Sequence, residues 1–178
     1  MSAAHWKQRT ADVAAQYGIN PAVAVAQINQ ESGFDPRAIS PAGAMGLAQF
    51  MPGTWATYGS GDPYDGENSL QAWAQYMTKL LKQFGGRYDL ALAGYNSGEN
   101  RKEYAAAARD GRAINWAVMP AGVQSETQNY VNKIMAQAGR GVSFSPGIES
   151  LGADSESDLT WWSAGAGGLV ALLFLRRD

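Results

Sequence analysis

Through the first 140 residues, apolar side chains recur at helical spacing, and glycine or proline breaks the pattern at short intervals. That rhythm predicts a string of short helices. One covers residues 4–17 and stops at Gly18. Asn20 followed by Pro21 supplies a cap and a proline suited to the first helical position. They open a second helix that reaches Ser32 and is halted by Gly33 and Pro36. The glycine-rich stretch 40–61 has room for at most two short helices, around 46–50 and 53–58. A long helix over 67–84 ends at Gly85-Gly86, a compact one over 88–97 ends at Gly98, and an alanine-rich one over 101–110 ends at Gly111. Ser125 and Gln128 have the spacing of a capping box and predict the start of a last helix that Gly139 stops. No sustained apolar–polar alternation predicts a strand, so the fold class is mainly α.

The second helix carries the first hint of chemistry. Val25 and Ile28 lie three apart, and Glu31 continues their stripe. A carboxylate at the end of an apolar stripe is partly desolvated. It also sits in the last helical turn, where the macrodipole is negative. Both effects favour the neutral acid, which is what a general acid near neutral pH requires. The plain alternative is a glutamate that rims the domain in water, and the stripe alone does not decide between them.

Composition narrows the chemistry. The chain has no cysteine and a single histidine, His5, so disulfides, thiol catalysis and ordinary structural zinc sites are set aside. A serine–histidine–aspartate triad would need His5 and lacks a nucleophile elbow. The net charge of −2 gives no basic excess to attract nucleic acid, and no metal or organic cofactor is implied.

The residues after Glu31 shift the balance toward the acid. Glu31-Ser32-Gly33-Phe34-Asp35-Pro36 is followed by Ser40-Pro41-Ala42-Gly43-Ala44-Met45-Gly46-Leu47-Ala48-Gln49-Phe50-Met51-Pro52-Gly53-Thr54, later by Ala93-Gly94-Tyr95-Asn96-Ser97-Gly98, and then by Glu126-Thr127 with Tyr130-Val131 and Ile134. These four blocks, in this order, resemble the signature of the lytic transglycosylases of the soluble (SLT) type, in the lysozyme-like superfamily. Three positions depart from it: Ala48 where methionine is usual, Gly94 set between alanine and tyrosine, and Ser97 in place of alanine.

The resemblance implies a lysozyme-like single catalytic domain with a groove for peptidoglycan glycan strands. It implies Glu31 as the one acid/base, cutting between N-acetylmuramic acid and N-acetylglucosamine and leaving a 1,6-anhydro end. It carries substrate-binding roles to Ser40, Gln49, Met51, Tyr95, Asn96 and Glu126. Ser40 is expected near the acetamido group, Gln49 and Met51 along the groove, and the Tyr95 hydroxyl near Glu31 or the acetamido group. Asn96 is expected to support its loop, and Glu126 to act further along or to orient Tyr95. Tyr130 and Trp73 read as large core aromatics, Asp35 as a turn residue, and Gly43, Gly46 and Gly98 as backbone-conformation positions. Two other functions stay open: a hydrolase of the same fold that leaves a reducing end, and a catalytically silent wall-binding module.

The chain divides into a catalytic domain over 1–140, an acidic flexible linker over 141–158 and a hydrophobic tail over 159–178, read as a short apolar helix. The first segment holds 12 Lys/Arg against 11 Asp/Glu, so the acidity lies in the linker. Residues 161–175 are uncharged and hold three glycines; extended to 159–175 the stretch has 17 residues, the lower edge for a membrane span. Trp161 and Trp162 suit one interface, and Arg176-Arg177 the cytoplasmic side. No secretory signal opens the chain. Two placements of a wall-facing enzyme follow: anchoring by the tail, or delivery by a phage particle in which the tail meets a membrane or virion partner.

Overall fold

A computed structural model describes residues 1–139, and they form seven α-helices and one short 3-10 turn. The helices are α1 (Ala3–Gln16), α2 (Pro21–Ser32), α3 (Pro52–Tyr58), α4 (Gly66–Gln83), α5 (Tyr88–Ser97), α6 (Lys102–Arg109) and α7 (Ala121–Ala138). The 3-10 turn, Trp116–Val118, has no counterpart in the apolar rhythm. The linker and tail expected over 141–158 and 159–178 lie outside the described residues.

Local chemistry accounts for most of these boundaries. Asn20 caps α2, its side chain accepting the N–H groups of Ala22 at 2.9 Å and Val23 at 3.4 Å, with Pro21 inside the first turn. Asp65 caps α4 in the same way through Glu67 and Asn68. Two expectations are corrected. The last helix starts at Ala121, four residues before Ser125. Its first turn has no side-chain cap, and the Ser125 hydroxyl donates inside the helix to the carbonyls of Ala121 and Gly122. Residues 46–50 form no helix: Met45 and Phe50 exchange two backbone hydrogen bonds at 2.9 and 3.0 Å and close a tight turn. Closing that turn uses the N–H and C=O groups that a helix would have paired along its own axis.

The core gathers where α2, α4, α5 and α7 meet. Trp73 and Leu70 from α4, Ile28 from α2, Leu90 and Leu92 from α5 and Ile134 from α7 are all fully buried. Packing of this kind, more than helix propensity, stabilises segments as short as α5. Gln27 is a polar side chain in the middle of it, with no exposure. Among the described residues no helix is long and apolar enough to cross a membrane.

Candidate active site

Glu31 is the penultimate residue of α2, so its place depends on what holds that last turn. Gly33 ends the helix at φ 62°, and its N–H bonds the Asn29 carbonyl at 2.9 Å. Next to Glu31, the Ser32 hydroxyl donates to the Leu47 carbonyl at 2.7 Å, tying the helix end to the following loop.

That loop forms one wall of the site. Ser40 accepts twice, at its carbonyl from the Gly43 N–H (2.9 Å) and at its Oγ from the Ala44 N–H (3.0 Å). Gly46 has φ 70°, and a Cβ there would fall 2.1 Å from the Pro63 carbonyl oxygen, so both backbone angle and space require glycine. Gln49 adopts φ 51°, a costly value for a side chain of its size. Its amide nitrogen offsets that cost by donating to the carbonyls of Gly46 (2.8 Å) and Ala38 (3.2 Å). Gln49 thus holds the loop through its nitrogen and keeps its amide oxygen outside these bonds. Met51, at the N-terminal end of α3, is 45% exposed rather than packed in the core.

The other wall is helical. α5 runs unbroken through Gly94, so Tyr95 and Asn96 keep helical register. Ser97 is no passive replacement, because its Oγ lies 2.6 Å from the Tyr104 hydroxyl and links α5 to α6. The Tyr95 hydroxyl donates to the Ala48 carbonyl at 2.8 Å, not to Glu31. Asn96 accepts from the buried Thr127 hydroxyl at 2.8 Å, which joins α5 to α7 instead of bracing a loop. Glu126, beside Thr127, is exposed and makes no hydrogen bond to Tyr95. The residue that does reach Glu31 is Tyr130, whose hydroxyl donates to Oε1 at 2.5 Å.

These surroundings set the acidity. Glu31 is half-buried, and loss of water pushes its carboxyl up to about 7 against the smaller, opposing effect of the Tyr130 hydrogen bond. Tyr95 and Tyr130 are both held well above the ordinary phenol range, first by burial and then by the Glu31 charge. Both therefore stay protonated and act as donors.

All seven residues singled out in the sequence line one cavity of about 270 Å³: Glu31, Ser40, Gln49, Met51, Tyr95, Asn96 and Glu126. A second cavity of about 390 Å³ shares Glu31, Asn96 and Glu126 and adds Asn129, Tyr130 and Lys133 among its lining. Glu31 thus stands where two cavities meet in one groove. Asp35 lines neither, and its Oδ1 accepts the Arg37 N–H at 2.9 Å, as a turn residue does. A larger cavity of about 570 Å³ beside α6 holds none of the seven. Among the described residues no three His, Asp or Glu side chains converge as metal ligands.

Residues 10–117 match the family model described as the transglycosylase SLT domain. The chain belongs to this family. The matched span holds Glu31, Ser40, Gln49, Met51, Tyr95 and Asn96 and ends before Glu126 and Tyr130. A soluble lytic murein transglycosylase of Salmonella typhimurium is 32% identical over 149 residues, which is 78% of this chain and 23% of that protein. A transglycosylase of Enterobacteria phage PRD1 is 26% identical over 176 residues, 93% of this chain and 62% of the phage protein. The solved 70 kDa soluble lytic transglycosylase of Escherichia coli shares the fold at a TM-score of 0.55 and 28% identity, over 71% of this chain and 23% of that one. The SLT chain described here therefore spans under a quarter of its bacterial relative and about three-fifths of its phage relative.

Sequence reading missed Tyr130 as a neighbour of Glu31 and Ser32 as the tie between helix and loop. The signal for Ser32 was its place directly after Glu31. For Tyr130 the pattern offered only a large aromatic in a buried stripe, and that part held, since its side chain also belongs to the core.

Proposed function

We propose that the chain is a peptidoglycan lytic transglycosylase, cleaving the β-1,4 bond between N-acetylmuramic acid and N-acetylglucosamine and leaving 1,6-anhydro-muramic ends. The observation that carries this is Glu31: one half-buried carboxyl, held near 7, in a groove lined by all six companion residues of the motif. An acid/base with a pKa near the working pH can give and take a proton in one cycle. Neutral Glu31 gives its proton to the glycosidic oxygen as the C1–O bond breaks, and the GlcNAc hydroxyl leaves. The carboxylate then takes the proton of the muramic C6 hydroxyl as O6 bonds to C1. The proton count closes on Glu31 and no water enters. Charge on C1 between the two events is met by the substrate's own acetamido group, the recognised substitute for a second carboxylate. Ser40 and the Gln49 amide oxygen supply polar contacts for that group, and Met51 an apolar face for a sugar ring.

Asp35 gives no support to the hydrolase reading, since it lines neither cavity. The second carboxylate along the groove is Glu126. Mass spectrometry of muropeptides released from purified sacculi by the full chain tests the proposal. Anhydro ends, lighter by one water than reducing ends, are the expected product. Reducing ends would make it a lysozyme and point to Glu126 as the group that activates water. Glu31→Gln should lower release by roughly 10²–10⁴-fold. Unchanged release would remove Glu31 from the mechanism, and no release by the native chain would leave a wall-binding module.

The phage relative, matched over 93% of the chain, supports a place of action in phage infection; we propose in addition, from the apolar segment 159–178 alone, an anchor to a membrane or virion. Detection in purified particles is the expected result; presence in infected lysates alone would sink this placement.

A further inference from the structure

Behind Glu31, three side chains stand in single file through the core, and only Tyr130, at the near end, also lines a cavity. The Trp73 indole Nε1–H donates to Gln27 Oε1 at 3.1 Å, Gln27 Nε2 donates to the Tyr130 hydroxyl at 3.1 Å, and Tyr130 donates to Glu31 Oε1. Trp73 and Gln27 have no exposure at all, and Tyr130 little. The chemistry of the donors forces the direction of every link. An indole nitrogen can only donate, so the Gln27 oxygen must face it. The Gln27 amide nitrogen then faces Tyr130 and also can only donate. Tyr130 spends its oxygen on that bond, and its one hydrogen has Glu31 Oε1 as its acceptor. The carbonyl oxygen of a neutral carboxyl is the stronger acceptor, so a bond from Tyr130 to Oε1 favours the acidic proton on Oε2.

We propose that Trp73 and Gln27 are positioning residues that fix the transferable proton of Glu31 on Oε2 by orienting the Tyr130 hydroxyl. The proposal rests on the reading of Glu31 as the acid/base. Its physical content is that a buried polar relay in which every nitrogen and oxygen has a partner keeps one protonation geometry out of several. It also explains why a glutamine and an indole N–H are kept in a core where apolar side chains would pack without desolvation cost. Gln27 lies one helical turn before Glu31, so α2 presents both to the same partner on α7. The other titratable groups around Glu31 are Tyr95 from α5, Tyr76 from α4, and Glu126 and Lys133 from α7. None of them takes part in the relay.

The relay is read first without altering it. In the full chain, the 15N–1H resonances of the Trp73 indole and the Gln27 side-chain amide should shift with pH along one curve, centred on the ionisation of Glu31 near 7. Both should become flat in Glu31→Gln. Resonances that stay flat while Glu31 titrates would overturn the proposal. Gln27→Met then breaks the relay, because an apolar side chain of similar length gives the Tyr130 oxygen no donor and leaves its hydroxyl free to turn from Glu31. The alkaline limb of the pH–rate profile should move upward by about 1 in pH, with kcat lowered about tenfold and KM within about twofold. An unmoved limb, or a change confined to KM, would reduce Gln27 to a packing residue. The resonance test does not depend on the product formed, so it stands apart from a failure of the transglycosylase reading.

Discussion

The two walls that meet at Glu31 hold their side chains by different means. The loop wall, residues 33–51, relies on hydrogen bonds to its own backbone, made by other backbone groups and by the Ser40 and Gln49 side chains, and on left-handed angles at Gly33, Phe34, Gly43, Gly46 and Gln49. The helical wall, α5 and α7, relies on buried side chains that reach across helices, Thr127 to Asn96 and Tyr130 to Glu31. The loop wall gains a fixed shape from few atoms and has no room for one more at Gly46. The helical wall holds Glu31 through a bond that depends on which polar atoms remain protonated. Steric substitutions should therefore break the first, and charge or pH the second.

The largest effect on stability is expected at Gly46. Gly46→Ala places a methyl against the Pro63 carbonyl and forces an L-residue to φ 70°, costing about 3 kcal/mol in urea denaturation. A loss below about 1 kcal/mol would mean the loop wall yields where the comparison holds it rigid.

Next comes the pH dependence set by the helical wall. The folded chain holds the Glu31 proton more tightly than the unfolded chain, whose carboxyl has the ordinary value of 4.5. Glu31 therefore contributes stability fully below about pH 4.5, and that contribution is lost as pH rises through about 7. Glu31→Gln keeps an acceptor for Tyr130 and removes the buried charge. It should be more stable than the native chain by about 2–3 kcal/mol at pH 8 relative to their difference at pH 4. Parallel stability–pH curves for the two proteins would contradict the assignment of Glu31 as a raised acid.

The smallest effect tests the seam between the walls. Ser32→Ala removes the bond to the Leu47 carbonyl and should cost about 1 kcal/mol by thermal or urea unfolding. A cost as large as that of Gly46→Ala would shift the weight of the loop wall from its glycine to its tie with α2.

What was legible in the sequence follows the same division. The caps at Asn20-Pro21 and Gly33 act within a few residues, so they located α2 and placed Glu31 in its last turn. The four motif blocks brought the seven groove residues together on paper, and one cavity holds them all. The turn at 46–50 was not legible as a turn, because its shape comes from pairing with residues 38 and 45 rather than from its own spacing. The start of α7 was misplaced because Pro120 precedes it with no side-chain cap. The contact of Tyr130 with Glu31 spans 99 residues, and local periodicity carries no register between elements so far apart. Gln27 was the available clue: a polar residue on a buried helix face, one turn from the acid, asks for a partner that only tertiary structure supplies.

The acid sits one residue short of the end of its helix, where chains ordinarily fray. Here that terminal turn is moored three ways, by Gly33 to Asn29 along its own axis, by Ser32 to the loop wall and by Tyr130 to the helical wall. Local unwinding of α2 must release both walls at once, so amide exchange at Gly33 should be as slow as in the core. The final turn of α2 thus behaves as a keystone: the groove stays assembled while it is seated, and loosening either side unseats Glu31 itself.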